Sequence, residues 1–383
     1  MLHEFNFSYR APTLIRFGNN TIPLLSEMVS ENQKILVMYG GGSIKSNGVF
    51  DAVKAALRNH RYLEFGGVEA NPEYHTLLRA IQMVKESKID LILAVGGGSV
   101  IDAAKFVAAA SLYQGEGWDL LDGSADVEQA LPVGVVLTTA ATGSETNTIS
   151  VISDRDRSLK LAFESELVVP QFAIMDPDVL SSLPERQLVN GVSDAFVHCC
   201  EQYLTYPVGA TIQDGYAEAV MRTLVDLARN LDRAGTSGWN QNMMWAANQA
   251  LSGILGLGVP VDFASHTICR SLTVYWGIDH ARTLSIVQPA LLEESIQEKS
   301  GKLVMLGKNV FDMPDPRPED VITRIKKFYS DLGMPLTLRE AGVEDSEAAI
   351  RIMDNLDMEG VSSLGENGIF DKKRIQRIVH AIA

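Results

Sequence analysis

The feature that most constrains this chain is a series of short, continuously apolar runs, each stopping at a small or polar loop. Residues 34–39 (KILVMY) end in Gly40-Gly41-Gly42, and residues 91–95 (LILAV) end in Gly96-Gly97-Gly98. Residues 133–138 run into Thr139-Ala140-Ala141-Thr142-Gly143. A strand that is apolar on both faces belongs in a parallel sheet covered by helices, because a strand with one wet face alternates instead. Helical periodicity at 49–58, at 74–87 and from residue 100 supplies the covers, and residues 62–65 add a short strand. Residues 5–9 and 14–17 read as an N-terminal hairpin around Ala11-Pro12. After Asp176-Pro177 the pattern changes, and strand signals nearly vanish. Segments 186–206, 208–232, 240–257, 260–276, 282–297, 318–331 and 345–355 read as helices. The expected fold is an α/β Rossmann-like N-terminal domain with a parallel sheet (residues 1–180) plus an all-α C-terminal domain (residues 181–383).

Composition narrows the function. The 383 residues are 46% hydrophobic and 21% charged, which fits a folded globular chain. Lys and Arg number 33 against 48 Asp and Glu, a formal net charge of −15. That balance argues against nucleic-acid or anionic-membrane partners, which need a basic face. A phosphate-bearing ligand must then be held locally, by backbone N–H groups or a few placed cations. The start, Met1-Leu2-His3-Glu4-Phe5, lacks the basic-then-apolar order of a secretory signal, and the apolar stretch 251–261 is too short to span a bilayer. Cys199, Cys200 and Cys269 cannot build a disulfide framework, so a reduced, cytoplasmic setting is expected.

The loops carry the first functional signal. Val95-Gly96-Gly97-Gly98-Ser99 joins a strand to a helix, where glycines admit a ligand close to the backbone and the helix N-terminus offers N–H groups to a phosphate. Ser99 and Asp102 also have the spacing of a capping motif, so the loop alone reads equally as a tight, capped turn. Gly40-Gly41-Gly42-Ser43-Ile44-Lys45 and Thr138-Thr139-Ala140-Ala141-Thr142 end two other strands of the same expected sheet. Three such loops share the sheet edge at which doubly wound folds bind nucleotides. Neither G-x-G-x-x-G nor the P-loop pattern is present, so the expected cofactor is phosphate-bearing but held in a non-standard way. The first strand ends without the carboxylate that selects NAD, and none follows until Asp51. Ser43 and Lys45 stand there instead, and both favour a 2′-phosphate, hence NADP(H) over NAD(H).

The second signal is a set of candidate metal ligands. Asp194 and His198 lie four apart on one face of an apolar helix. Taken alone they read as an ordinary helical pair. His266 opens a further helix, Gly277 ends it, and His280 begins the next. One carboxylate and three imidazoles suit a borderline divalent ion, Fe²⁺ or Zn²⁺, rather than Mg²⁺ or Ca²⁺.

These motifs together resemble the iron-containing (group III) alcohol dehydrogenase family over nearly the whole chain. They are Gly96-Gly97-Gly98-Ser99-x-x-Asp102, Thr142-Gly143-Ser144-Glu145, Asp176-Pro177, Asp194-x-x-x-His198, and His266 with His280. Within it the chain is most similar to the butanol dehydrogenase and broad-range aldehyde reductase branch. The resemblance implies that Asp194, His198, His266 and His280 bind the metal, and that the 96–99 loop holds the cofactor pyrophosphate. It implies Thr138, Thr139 and Thr142 along the nicotinamide half and Lys160 near its ribose, where the residues alone allow an exposed cation before a strand. Gly40, Gly41, Gly42, Ser43, Lys45, Asn71 and Asp102 complete the expected cofactor set. The implied reaction interconverts small aldehydes and alcohols by hydride transfer in a homodimeric enzyme. Related readings are a glycerol-dehydrogenase- or dehydroquinate-synthase-like reaction, or a non-catalytic nucleotide or metal sensor.

One position departs from the family. Four residues after His266, where the family commonly has a second histidine, this chain has Arg270. On the helix it shares the face of His266 and would look toward the metal and nicotinamide, or it turns away to pair with a carboxylate. Cys269 beside it reads as a helix-packed thiol.

Overall fold

A computed structural model describes residues 5–383; residues 1–4, part of the segment read for a signal, lie outside the described residues. By compactness the chain forms two units.

The first unit comprises Arg10–Leu188 and Asp232–Asn248. Its centre is a six-stranded sheet of β1 (Leu14–Phe17), β2 (Lys34–Tyr39), β3 (Arg61–Phe65), β4 (Leu91–Gly96), β5 (Val133–Leu137) and β8 (Phe172–Met175). The spatial order is β1-β8-β5-β4-β2-β3, and every pairing is parallel. Ile35 to Met38 and Leu91 to Val95 are almost completely buried, as strands covered on both faces must be. Gly134 lets β5 and β8 approach: a Cβ there would come 2.2 Å from the Phe172 ring. The register sets Tyr39 beside Val95 and Gly96 beside Leu137, which brings the three loops to one sheet edge.

Several expectations are corrected here. There is no N-terminal hairpin: residues 5–13 are irregular, and β1 pairs in parallel with β8, far along the chain. The third apolar run leads into an antiparallel hairpin, β6 (Ile149–Asp154) and β7 (Leu159–Glu164), which the sequence reading does not include. Residues 232–248 belong to this unit, whereas the expected boundary at 180 assigns them to the helical domain. They are held there by Asn240, whose Nδ2 donates to the Pro177 carbonyl (3.1 Å) and to Ser181 Oγ (2.9 Å).

The second unit takes the described residues up to Tyr9, with Val189–Leu231 and Gln249–Ala383. It is mainly helical. The helices Glu185–Tyr203, Ala264–Trp276 and His280–Glu294 carry the candidate ligands. Phe196 anchors the core, its ring centroid 4.6 Å from that of Phe328. Two helices are absent from the sequence reading, Ile296–Asn309 and Lys372–Ile382. The latter buries Ile375, Ile378, Val379 and Ile382, a clear apolar stripe.

Candidate active site

Asp194 and His198 project from one face of the Glu185–Tyr203 helix, with His198 Nε2 3.7 Å from Asp194 Oδ1. His266 sits in the first turn of the Ala264–Trp276 helix. Its Nε2 lies 4.0 Å from Asp194 Oδ1 and 3.0 Å from His198 Nε2. That helix ends at Gly277, whose φ of +64° is a backbone conformation that favours glycine. The chain turns there, and His280 opens the next helix with Nε2 3.8 Å from Asp194 Oδ1. Asn190 Nδ2 donates to Asp279 Oδ2 (3.1 Å), fixing this turn against the helix that bears Asp194.

The four predicted ligand residues are thus brought together, with three imidazole nitrogens around one carboxylate oxygen. The residues fit a cation in two respects. Asp194 Oδ1 is buried without a hydrogen-bond partner, a costly condition unless a positive charge meets it. Burial also pulls the His198 imidazolium down to about 4 against the opposing effect of Asp194, so the ring is neutral and can offer a lone pair. One carboxylate and three imidazoles match Fe²⁺ or Zn²⁺.

Sequence reasoning missed two neighbours. Glu201 shares a short hydrogen bond with His266 Nδ1 through Oε2, and its Oε1 accepts from the Ser265 N–H (2.8 Å). Burial, reinforced by Asp262, pushes its carboxyl well above the usual range, so its ionised form needs a positive partner. The signal was present: positions 194, 198 and 201 share one helical face. Cys269 is buried, as expected of a packed thiol, but its Sγ lies 3.6 Å from His280 Nδ1 and donates to the His266 carbonyl (3.1 Å). The described histidines outside the motifs have other neighbours: His60 the Val29 carbonyl, His75 Asp156, and His380 the Gln376 carbonyl.

Arg270 adopts the second of its two expected orientations. Its Nη1 lies 3.8 Å from Oε2 of the buried Glu359, just past the Ala348–Met358 helix. Burial raises the Glu359 carboxyl to about 7, with Arg270 opposing the rise.

In the α/β unit the helix Gly98–Ala110 starts directly after β4. A Cβ on Gly97 would meet Thr139 Cβ at 2.9 Å, and one on Gly98 would meet Thr142 Oγ1 at 2.4 Å. The two loops therefore pack backbone against threonine, and Thr138 N–H donates to the Gly96 carbonyl (3.0 Å). The capping motif is not formed. Ser99 Oγ instead donates to the Ala70 carbonyl, and Asp102 turns inward to accept from Ser144 Oγ (2.6 Å) and the Val151 N–H (3.2 Å). Beside it the buried Lys105 donates to Ser144 Oγ, Asn147 Oδ1 and the Ile149 carbonyl, and burial pulls its ammonium down to about 8.

Lys160 is buried in β7 and donates to Asn71 Oδ1 (2.9 Å), which removes the reading as an exposed cation. Gly41 and Gly42 face open space, and Gly42 has φ +101°. Lys45 lies 3.4 Å from Glu64 Oε2 and stacks over the Tyr39 ring at 4.7 Å. The expectation that no carboxylate stands near this loop fails in space, because Glu64 arrives from the neighbouring strand β3.

Comparison with known proteins agrees with this geometry. The pattern of the family described as "Iron-containing alcohol dehydrogenase" matches residues 12–177, and that of the "Fe-containing alcohol dehydrogenase family, C-terminal" matches residues 188–382. The NADPH-dependent aldehyde reductase YqhD of Escherichia coli is 43% identical over 94% of this chain and 95% of its own. The NADH-dependent butanol dehydrogenase A of Clostridium acetobutylicum is 33% identical over 88% of this chain and 90% of its own. The crystal structure of a Thermotoga maritima protein named NADH-dependent butanol dehydrogenase A superposes with a TM-score of 0.94 at 32% identity, covering 99% of this chain and 98% of that one. With both halves matched, this chain belongs to the iron-containing alcohol dehydrogenase family of oxidoreductases.

Proposed function

We propose that this protein interconverts small aldehydes and primary alcohols with a divalent metal, Fe²⁺ or Zn²⁺, held by Asp194, His198, His266 and His280, and with NADP(H) preferred over NAD(H). The observation that carries this reading is the convergence of three imidazole Nε2 atoms, 3.7–4.0 Å away, on one buried, unpartnered carboxylate oxygen. When bound, the metal supplies Lewis acidity toward the substrate oxygen and the nicotinamide supplies or takes up the hydride. Asp194 contributes negative charge, and His198 stays neutral and keeps its lone pair. Arg270 stands where the family commonly has a histidine, so this position adds no imidazole to the site.

In the α/β unit the Gly96–Ser99 loop, backed by Thr138, Thr139 and Thr142, is assigned to the pyrophosphate and nicotinamide half. Lys160 with Asn71 is assigned to the ribose. Gly41 and Gly42 leave room for the adenosine end, with Gly40 close against the Val68 carbonyl and Ser43 and Lys45 toward a 2′-phosphate. Asp102 has a supporting part, holding the loop through Ser144. The name of the E. coli relative, an NADPH-dependent aldehyde reductase, favours both the cofactor and the substrate class.

Among the described residues no helix is long and apolar enough to cross a membrane. The three cysteines are free and buried, which supports a cytoplasmic setting. A homodimer is supported by β1, an edge strand with Leu14 and Phe17 exposed. The direct test is reconstitution of metal-stripped protein with Fe²⁺ or Zn²⁺, then a panel of aldehydes with NADPH and NADH. Metal- and aldehyde-dependent oxidation of NADPH is expected. Metal and cofactor binding without any aldehyde-dependent oxidation would favour a sensor and defeat the proposal.

A further inference from the structure

Behind His266 lies a chain of buried charged groups that the ligand assignment does not use. Glu201 shares a helix face with Asp194 and His198, one turn past His198. Its two oxygens have separate partners, His266 Nδ1 and the Ser265 N–H. Its own carbonyl accepts from the Asp262 N–H (2.8 Å), and Asp262 Oδ1 caps the Ala264–Trp276 helix by accepting from the Ala264 N–H (3.0 Å). Asp262 Oδ2 accepts from Lys299 Nζ (2.8 Å), and Lys299 in turn donates to both Glu366 oxygens (2.9 and 3.0 Å). A void of about 10 Å³ lined by Glu201, Asp262, Ser265 and Lys299 is the size of one water at most, so these groups sit in a nearly dry interior.

We infer that Glu201 is a positioning residue for the metal ligand His266: it fixes the imidazole as the Nδ1–H tautomer with its Nε2 lone pair turned to the ion, and Asp262 with Lys299 fixes the backbone that presents it. The inference rests on the metal assignment proposed above. A histidine that donates from one ring nitrogen to a carboxylate has no choice of tautomer, and its other nitrogen becomes a stronger ligand. His198 Nε2 stands only 3.0 Å from His266 Nε2. Two lone pairs at that separation repel unless a cation draws on both, and pinning the His266 tautomer removes one of the two ways in which the pair could hydrogen-bond to itself instead.

The test compares the parent with Asp194→Ala, Glu201→Gln and Glu201→Asp. Glutamine still accepts from His266 but lacks the charge; aspartate keeps the charge but withdraws the oxygen. Metal affinity is read by chelator competition against Zn²⁺. The geometry of the site is read from the visible spectrum of the Co²⁺-loaded protein, and folding from the melting temperature of the metal-free protein. Glu201→Gln is expected to weaken metal binding by about 10–100-fold and to move the Co²⁺ bands. If that variant does not fold, Glu201→Asp is expected to show the same two changes. Parent-like metal affinity with an unchanged Co²⁺ spectrum overturns the inference, as does a lowered melting temperature with unchanged affinity, which marks Glu201 as merely structural. Asp194→Ala separates the two levels: if it keeps full metal, the metal assignment itself fails. If it loses metal while Glu201→Gln keeps parent affinity, only the role of Glu201 fails.

Discussion

Replacing Glu359 with Gln should remove a distinct component of the pH dependence of stability in the helical unit. Glu359 is buried, its Oε1 has no hydrogen-bond partner, and Arg270 approaches Oε2 only to 3.8 Å. Burial outweighs this weak pairing and raises the carboxyl from an ordinary 4.5 to about 7. A carboxyl that is harder to ionise in the folded chain favours folding most below its unfolded value. That contribution is lost progressively as pH rises from about 4.5 through about 7. At about 1.4 kcal/mol per tenfold change in the acid constant, the full swing is about 3 kcal/mol. For a unit of this size each kcal/mol moves the melting temperature by about 2–4 °C, so the swing amounts to roughly 6–12 °C. The assay is the melting temperature of parent and Glu359→Gln at several pH values from 4 to 8. The variant's advantage over the parent should grow across this range and level off above about 7. A constant difference between the two curves would refute the argument, because it would mean that Glu359 ionises no less readily in the folded chain than in the unfolded one.

Three further outcomes follow from the geometry. His266→Ala and Asp194→Ala should lower metal content and turnover together, whereas alanine at His60, His75 or His380 should leave both unchanged by metal analysis and NADPH oxidation rate. Gly98→Ala should raise KM for NADPH and NADH alike, by about tenfold or more, because its Cβ would press on Thr142 at 2.4 Å and overpacking of this kind costs about 1–3 kcal/mol. Lys45→Ala should lower the ratio of kcat/KM for NADPH over NADH and Glu64→Gln should raise it, each modestly as suits an exposed charge, and ratios equal to the parent's in both variants would exclude a 2′-phosphate at this loop.

The sheet was legible because continuous apolar runs have one main structural use, and the metal quartet because helical spacing and a glycine stop place side chains without tertiary knowledge. What escaped was non-local. The strand at Leu14–Phe17 looks like half of a hairpin until its partner is found at Phe172–Met175. The β6–β7 hairpin hides because Ser150, Ser153 and Asp154 interrupt the apolar pattern with polar groups that are buried all the same. The Ile296–Asn309 helix was passed over because Lys299 and Lys302 look like surface residues, yet both are buried against carboxylates. Glu64 is distant from Lys45 in sequence and beside it in space, since β3 pairs with β2.

An acidic chain that uses a polyanionic cofactor has to keep its own charge away from the phosphates, and in the α/β unit the lysines of the expected cofactor region are already engaged. Lys45 is engaged by Glu64, Lys160 by Asn71, and Lys105 is spent inside the unit. On the cofactor assignment proposed above, the pyrophosphate is met mainly by the main chain. The Gly98–Ala110 helix suits this, because its N-cap is Gly97 and no side chain caps it, so its first N–H groups remain available to an anion. Ser99 and Asp102, which would cap the helix if the motif formed, are drawn off to Ala70 and to Ser144 and Val151. The helical unit uses acidity in the opposite sense, setting Asp194 and Glu201 on one helix face beside His198 and His266. The same excess of carboxylates thus has to be kept out of one half of the machinery and concentrated in the other, and burial governs both. A buried carboxylate is stable only beside its counter-charge, and backbone N–H groups bind phosphate without bringing one.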